Sequence, residues 1–139
     1  MKKIFIFLFM IVSLVNAQEL NNEMKQYMQI LKNQAQKENP SFKQFNYERG
    51  ENIFLSEHIG KKGKLISCVS CHSSNLFNNG ENIHTTKIIK PLSPLANSTR
   101  FTKVKDVKKW LRRNFRDVYN RVGTAQEKGD VITYIINKK

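Results

Sequence analysis

The stretch Cys68-Val69-Ser70-Cys71-His72 decides the fold of this chain. It has the pattern C-x-x-C-H, which is the attachment signature of a c-type haem. Two thiols at this spacing can reach the two vinyl groups of one porphyrin, and the histidine that follows is then placed to bind the iron. We therefore predict one haem c, covalently attached through the thioether bonds of Cys68 and Cys71, with His72 as the proximal iron ligand.

The same residues allow two other chemistries. A Cys-x-x-Cys pair serves as a redox disulfide in thioredoxin-like proteins, but that interpretation requires a βαβ context, which the sequence does not show. A zinc site would use Cys68, Cys71, His72 and His84. Structural zinc sites usually join two separate ligand clusters, and the adjacent Cys71 and His72 fit that arrangement poorly. Haem attachment is the favoured interpretation.

The N-terminus has the pattern of an export signal. Lys2 and Lys3 are followed by an apolar run over 4–14 and by small residues ending at Ala17, where a signal peptidase would cleave. The apolar run is too short for a stable membrane span, and an uncleaved N-terminal anchor is the alternative. We predict a signal peptide over 1–17 and a periplasmic location, which agrees with haem attachment outside the cytoplasmic membrane.

The chain is strongly basic, with 24 Lys and Arg against 11 Asp and Glu and a formal net charge of +13. Such a charge favours acidic partners or anionic membrane surfaces and steers their encounter with the protein. A nucleic-acid partner is not expected, because an exported haem protein rarely meets nucleic acid. We expect an acidic redox partner and, in second place, a loose contact with a membrane surface.

Hydrophobic periodicity predicts four helices. The first belongs to an N-terminal extension over 18–41, and the others belong to a haem domain over 42–139. The predicted helices cover 18–38, 46 to about 57, 102 or 103 to about 116, and 125–137, the last after a capping box at Thr124 and Glu127. Residues 73–101 are long and irregular, which is reasonable in a compact domain if the segment wraps a cofactor.

The order of these elements resembles the class I cytochrome c fold. Gly50-x-x-x-Phe54, before the haem motif, is similar to the N-terminal helix of that fold, and the run GDVITYI at 129–135 is similar to its C-terminal helix. In that fold the two helices cross with the glycine at their contact. The resemblance implies an all-α, class I cytochrome c-like fold around one covalent haem, with an extra N-terminal helix.

The second axial ligand of the iron is left open by the residues alone. The methionines lie at positions 1, 10, 24 and 28, so none follows His72, and this argues against the usual methionine ligation. His58, His84, Asn97, a lysine or no protein ligand remain. Ligation by His84 would make a bis-His electron-shuttle cytochrome with a saturated iron, whereas an open or weakly ligated iron would bind small diatomic molecules.

Longer runs sharpen this choice: TKIIKPLSPLANSTRFT at 86–102, VKKWLRRN at 107–114 and EKGDV at 127–131. They resemble one family of monohaem cytochromes, the sphaeroides haem protein (SHP) family, over about 42–135. In that family an asparagine from the loop after the haem motif ligates the oxidised iron and leaves on reduction or when a diatomic ligand binds. The residue here that matches this motif is Asn97, so the resemblance implies Asn97 as a displaceable distal ligand.

Two departures from the family pattern are visible. The family has a cysteine pair where this chain has Phe115 and Gly123, so no redox role of that pair is expected here. Burial of Phe115 on an apolar stripe is expected to offset the missing cross-link. Ser98 stands where the family tends to have proline, which loosens the loop around Asn97.

Further contacts follow from charge and size. Arg100 and Lys87 are candidates to pair with the haem propionates, Arg100 through its bidentate guanidinium. Trp110 is expected to pack in the core against the haem. The basic face of the third helix is expected to dock an acidic redox partner, and the resemblance suggests a larger multihaem or membrane cytochrome.

These expectations combine into one functional hypothesis. The chain is expected to be an exported monohaem cytochrome c that transfers one electron and binds O2, NO or another small ligand. An oxygen- or NO-related reductase activity is compatible with such a site, and no residue is assigned as a catalytic group.

Overall fold

The structure, a computed structural model, describes residues 19–139. Its helices are α1 (Asn22–Glu38), α2 (Tyr47–Leu55), α3 (Val69–His72), α4 (Val104–Tyr119) and α5 (Ala125–Asn137). Two antiparallel hairpins pair β1 (His58–Ile59) with β2 (Leu65–Ile66) and β3 (Gly80–Glu81) with β4 (Ile88–Ile89). The prediction of an all-α fold is confirmed, since each strand has only two residues. The predicted signal peptide lies outside the described residues.

Helix α2 begins as predicted and ends slightly earlier. The side chain of Asn46 accepts a hydrogen bond from the backbone N–H of Arg49, which caps the first turn. Ser56 then takes an extended backbone conformation and stops the helix. His58 therefore lies beyond the helix, in β1 opposite Ile66.

Helices α2 and α5 cross in close contact at Gly50. A Cβ atom built on Gly50 would overlap the backbone of Asp130 and would lie 2.9 Å from the Cβ of Tyr134. Asp130 is 1% exposed, and its carboxylate accepts hydrogen bonds from the Arg49 guanidinium at 2.8 and 3.0 Å. Glycine, as in the predicted class I signature, is therefore required at position 50, because the two helices leave no space for a side chain there.

Helix α1 packs its apolar face against α4 and α5. Its buried side chains recur at helical spacing and are Met24, Tyr27, Leu31 and Ala35. At its C-terminal end, the Glu38 carboxylate accepts a hydrogen bond from the backbone N–H of Ala125 at 3.1 Å, where the dipole of α5 favours a negative charge. The predicted extra helix thus shares one core with the haem domain. Within residues 19–139, no helix is both long enough and apolar enough to span a membrane.

The segment 73–101 is irregular, as predicted, except for the hairpin of β3 and β4. The backbone N–H of Ser93 donates to the carbonyl of Leu76 at 2.9 Å, and Leu76 is fully buried. Gly80 lies so close to α3 that an added Cβ would overlap the carbonyl of Cys71 and approach the Cα of His72 to 2.8 Å. The segment therefore folds back onto the C-x-x-C-H motif.

We expect Gly50→Ala to lower the free energy of unfolding by about 2 kcal/mol, because overpacking a tight contact forces the backbones apart. Asn52→Ala is the matched control, since Asn52 is exposed on the same helix. It should leave stability almost unchanged, because alanine is a good helix former. Denaturant unfolding of both variants measures the difference, and equal stabilities would contradict the close-contact argument.

Helix α5 begins with the predicted capping box. The Thr124 hydroxyl accepts the N–H of Glu127 at 3.1 Å, and the Glu127 carboxylate accepts the N–H of Thr124 at 2.8 Å. Arg121 binds both oxygens of the same carboxylate, at 2.6 and 2.8 Å. The Arg121 hydrogen bonds, opposed by burial, lower the pKa of Glu127 from its ordinary value.

Glu127→Gln should lower stability by about 1 kcal/mol at pH 7, because Arg121 is partly exposed and solvent screens the pair. The folded-state pKa of Glu127 is lowered, so this stabilisation is complete above the unfolded-state pKa and is lost as pH falls through the folded-state pKa. Unfolding curves of wild type and variant should therefore converge in acid. Asp106→Asn, which alters an exposed pair with Lys109 at 3.9 Å, should cost little at any pH. A pH-independent difference for Glu127→Gln would contradict this account.

Candidate functional site

The C-x-x-C-H motif forms one short helical turn. Cys68 precedes α3, and Cys71 and His72 lie within it, with the backbone N–H of His72 donating to the carbonyl of Cys68 at 3.0 Å. Both cysteines are unpaired and partly buried. The turn therefore presents two thiols and an imidazole from five consecutive residues.

His72 has one imidazole nitrogen without a hydrogen-bond partner and one that meets another side chain. The Nδ1 atom is buried and has no partner within the described residues. The Nε2 atom lies 3.3 Å from the side-chain Nδ2 of Asn114 on α4. Burial, and then the charge of Arg100, lower the pKa of His72 to about 4. The ring is therefore neutral at pH 7, the form that binds metal ions.

The surroundings of the motif are apolar. The ring of Phe54 lies 6.3 Å from that of His72, measured between centroids. Cys68 packs against the buried cluster that contains Phe54 and Leu76, as does Leu92 from the long loop. Two free thiols, a neutral imidazole and an apolar wall fit a covalently attached haem.

Thiol redox chemistry fits the site less well. Burial, and to a lesser degree Cys71, raise the pKa of Cys68 to about 12. Reactive cysteines instead have a lowered pKa, because the thiolate is the nucleophile. A zinc site is not assembled either, since residues 19–139 contain no group of three or more side chains of His, Cys, Asp and Glu that could hold a metal ion.

Asn97 occupies a turn of the long loop. Its Oδ1 accepts hydrogen bonds from the hydroxyl of Thr99 at 2.8 Å and from the N–H of Thr99 at 3.3 Å. Its Nδ2 donates to the carbonyl of Pro91 at 3.3 Å. These are the contacts of an ordinary turn residue. Its role as an iron ligand stays a prediction.

The two other histidines lie in hairpins. His84 is exposed in the turn between β3 and β4, where its backbone N–H donates to the side chain of Asn82. His58 stacks on the ring of Tyr119 with centroids 4.1 Å apart, and its buried Nε2 has no hydrogen-bond partner within the described residues. The structure brings neither of them into a hydrogen bond with His72.

Asn114 is the residue beside His72 that sequence reasoning missed. It lies on α4 between the core-facing positions Val107, Leu111 and Val118, at the edge of the apolar stripe. A partly buried amide at such a position needs a polar partner, because an unpaired buried polar group is costly. That signal, a polar residue on the inner flank of an amphipathic helix, was available in the sequence.

The two propionate candidates have different environments. The Arg100 guanidinium is partly buried and donates to the backbone carbonyls of Pro91 and Lys90, which ties the loop together. After burial, its positive charge is the second cause that lowers the pKa of His72. Lys87 is exposed at the end of the β3–β4 turn. Pairing of either residue with a propionate stays a prediction.

Trp110 is not enclosed by other protein side chains. It is 47% exposed, with Lys109 and Arg113 over its ring at 5.0 and 5.4 Å from the centroid. It lies one helical turn before Asn114, on the same flank of α4. The expectation that Trp110 packs in the core against the haem stays a prediction.

Phe115 and Gly123, which stand where the family has a cysteine pair, are in contact. A Cβ built on Gly123 would lie 2.7 Å from Cδ2 of the Phe115 ring. Phe115 is 4% exposed. As expected, the phenylalanine at this position is buried.

Comparison with known proteins places this site in a family. The family described as a domain of unknown function (DUF1924) matches residues 40–135. The cytochrome c-type protein SHP of Cereibacter sphaeroides is 40% identical over 88 residues, which cover 63% of this chain and 67% of that protein.

Solved structures agree with the sequence match. Oxidised SHP, described as an oxygen-binding cytochrome c, has a TM-score of 0.70 at 33% identity, covering 81% of this chain and 94% of that chain. Oxidised cytochrome c'' of Methylophilus methylotrophus has a TM-score of 0.74 at 28% identity, covering 84% of this chain and 94% of that chain.

The fold and the C-x-x-C-H site are those of a c-type cytochrome. The chain belongs to the DUF1924 family and, within it, to the SHP-like cytochromes c. The resemblance stated from the sequence is confirmed.

Proposed function

We propose that this protein is an exported monohaem cytochrome c in which a displaceable distal ligand couples one-electron transfer to binding of O2, NO or another small molecule. The observation that carries the proposal is the approach of the Asn114 amide to within 3.3 Å of His72 Nε2. Asn114 then takes the distal role that the family resemblance had suggested for Asn97.

The haem would supply the redox couple and a coordination position whose access is set by the distal side chain. Cys68 and Cys71 would hold it, and His72 would bind the iron through Nε2. The amide oxygen of Asn114 reaches the position of its nitrogen by a half turn of the amide group. A neutral amide oxygen is a weak ligand, so Asn114 would hold the distal position against water and yield it to a stronger ligand.

The relatives support ligand binding. SHP is described as an oxygen-binding cytochrome c, and this chain covers most of its structure. The proposed periplasmic location rests on the N-terminal signal pattern and on the chemistry of haem attachment. Reduction of the bound small molecule is compatible with this site, and the redox partner would supply the electrons.

Helix α4 also offers a docking surface for an acidic redox partner. Four cations, Lys105, Lys109, Arg112 and Arg116, recur at helical spacing and form the basic stripe. At 100° per residue, this stripe lies on the flank of α4 opposite Asn114. The helix therefore places the proposed partner surface about one helix diameter, or roughly 10 Å, from the distal side chain.

We predict that Asn114→Ala converts the ferric haem from low-spin to high-spin or water-ligated while the haem stays attached. Affinity of the ferric protein for imidazole should rise about tenfold or more, because no protein ligand competes. Asn97→Ala is the matched control and should leave both readouts unchanged. The opposite pattern would return the ligand role to Asn97, and a change only in His84→Ala would establish bis-His ligation.

Reversal of the basic stripe should slow reaction with an acidic electron-donor protein. Arg112→Glu with Arg116→Glu is expected to reduce the second-order rate about tenfold at low salt, with the difference disappearing at high salt. Lys61→Glu with Lys62→Glu changes the charge equally at the exposed β1–β2 turn and is the control. Equal effects of both pairs on the rate would mean that only net charge matters. If the Arg112→Glu, Arg116→Glu variant lost binding to anionic vesicles but kept its rate with the donor protein, the basic stripe would instead contact a membrane.

A further inference from the structure

Phe115 directly follows Asn114 on α4, and its ring lies against the backbone of Gly123 in the α4–α5 connection. A Cβ on Gly123 would lie 2.7 Å from Cδ2 and 2.8 Å from Cε2 and Cγ of that ring. Such distances are shorter than packed carbon atoms allow, since carbon contacts are most favourable at about 3.5–4.0 Å. The ring of Phe115 therefore occupies the space that any side chain at position 123 would need.

The backbone conformation does not explain the glycine. Among the described residues, Gly63 is the glycine with a positive φ, at 71°, and Gly123 does not share that conformation. Gly123 is buried. The reason for glycine at this position is room for the neighbouring ring.

The remaining contacts of Phe115 hold it firmly. The ring belongs to the buried cluster that includes Phe54 and Leu76, and it packs on Tyr119 with centroids 5.3 Å apart. The Tyr119 hydroxyl donates to the carbonyl of Ile53 on α2 at 2.6 Å. The last two turns of α4 are thus fixed against α2 on one side and against Gly123 on the other.

We propose that the Phe115–Gly123 contact is a positioning device that sets how tightly Asn114 holds its place opposite His72. This inference rests on the proposed function, in which Asn114 is the displaceable distal ligand. Asn114 and Phe115 share one peptide bond, so a displacement of the ring moves the backbone that carries the amide. Functional side chains must be held to within about 0.5 Å, so a small shift of α4 weakens the Asn114 contact.

The test is a size exchange across the contact. Gly123→Ala should displace the Phe115 ring, raise the high-spin fraction of the ferric haem and increase the apparent affinity for imidazole about tenfold, because the competing amide is held less well. Phe115→Leu added to Gly123→Ala should restore both readouts to within about twofold, since the smaller side chain makes room for the methyl group. A folded Gly123→Ala protein with unchanged imidazole affinity, or a double variant without rescue, would overturn the proposal.

Gly63→Ala is the matched control for general destabilisation. Nothing lies within 4 Å of a Cβ at this position, but its φ of +71° strains any alanine placed there. It should lower stability without moving the ferric spectrum. If Gly123→Ala fails to fold, Phe115→Leu alone tests the same contact, because the gap it leaves should also loosen Asn114 and raise imidazole affinity. An unchanged affinity in that variant would equally overturn the proposal.

A double-mutant cycle separates this inference from the proposed function. In an Asn114→Ala background, Gly123→Ala should have no further effect on imidazole affinity, because the side chain being positioned is gone. A full additional effect would show that Gly123 acts on ligand access by another route. If Asn114→Ala itself leaves the ferric spectrum unchanged, the assignment of the distal ligand fails, whatever the size exchange shows.

Discussion

The crossing of α2 and α5 at Gly50 is the constraint on which the site depends. Because Gly50 has no side chain, the two helices approach until its Cα lies against the backbone of Asp130. Phe54 follows one helical turn later and is placed with its ring 6.3 Å from that of His72. A wider crossing would move this apolar wall away from the imidazole. The pair between the partly exposed Arg49 and the buried Asp130 holds the register of the crossing, since a buried carboxylate requires its partners.

Helix α4 is amphipathic, and three parts of its surface make different contacts. Its inner face contributes Phe115 and Val118 to the core, and one flank carries Asn114 toward His72. The opposite flank carries the basic stripe. A rigid helix holds these groups at constant spacing. In the proposed function, the docking surface for a redox partner and the distal side chain would therefore lie close together on one element, without a moving domain.

Much of this architecture could be predicted from sequence, because helical periodicity, the capping box and C-x-x-C-H are local signals. The position of His58 could not, since a two-residue strand has no periodicity and is defined by its partner Ile66. The approach of Asn114 to His72 has a similar origin, because it depends on how α4 packs and not on a local motif.

If Asn114 is the distal ligand, as proposed, its location on a helix limits how it could leave that position. Movement of α4 as a whole would disrupt the Phe115–Gly123 contact, the hydrogen bond from Tyr119 to Ile53 and the burial of Val118. Each of these contributes on the order of 1 kcal/mol or more. Rotation of one side chain between staggered conformers breaks none of them. Under the proposed function, displacement of Asn114 would therefore be a side-chain event on a fixed helix, and the strength of its contact would depend mainly on how accurately the backbone of α4 is placed.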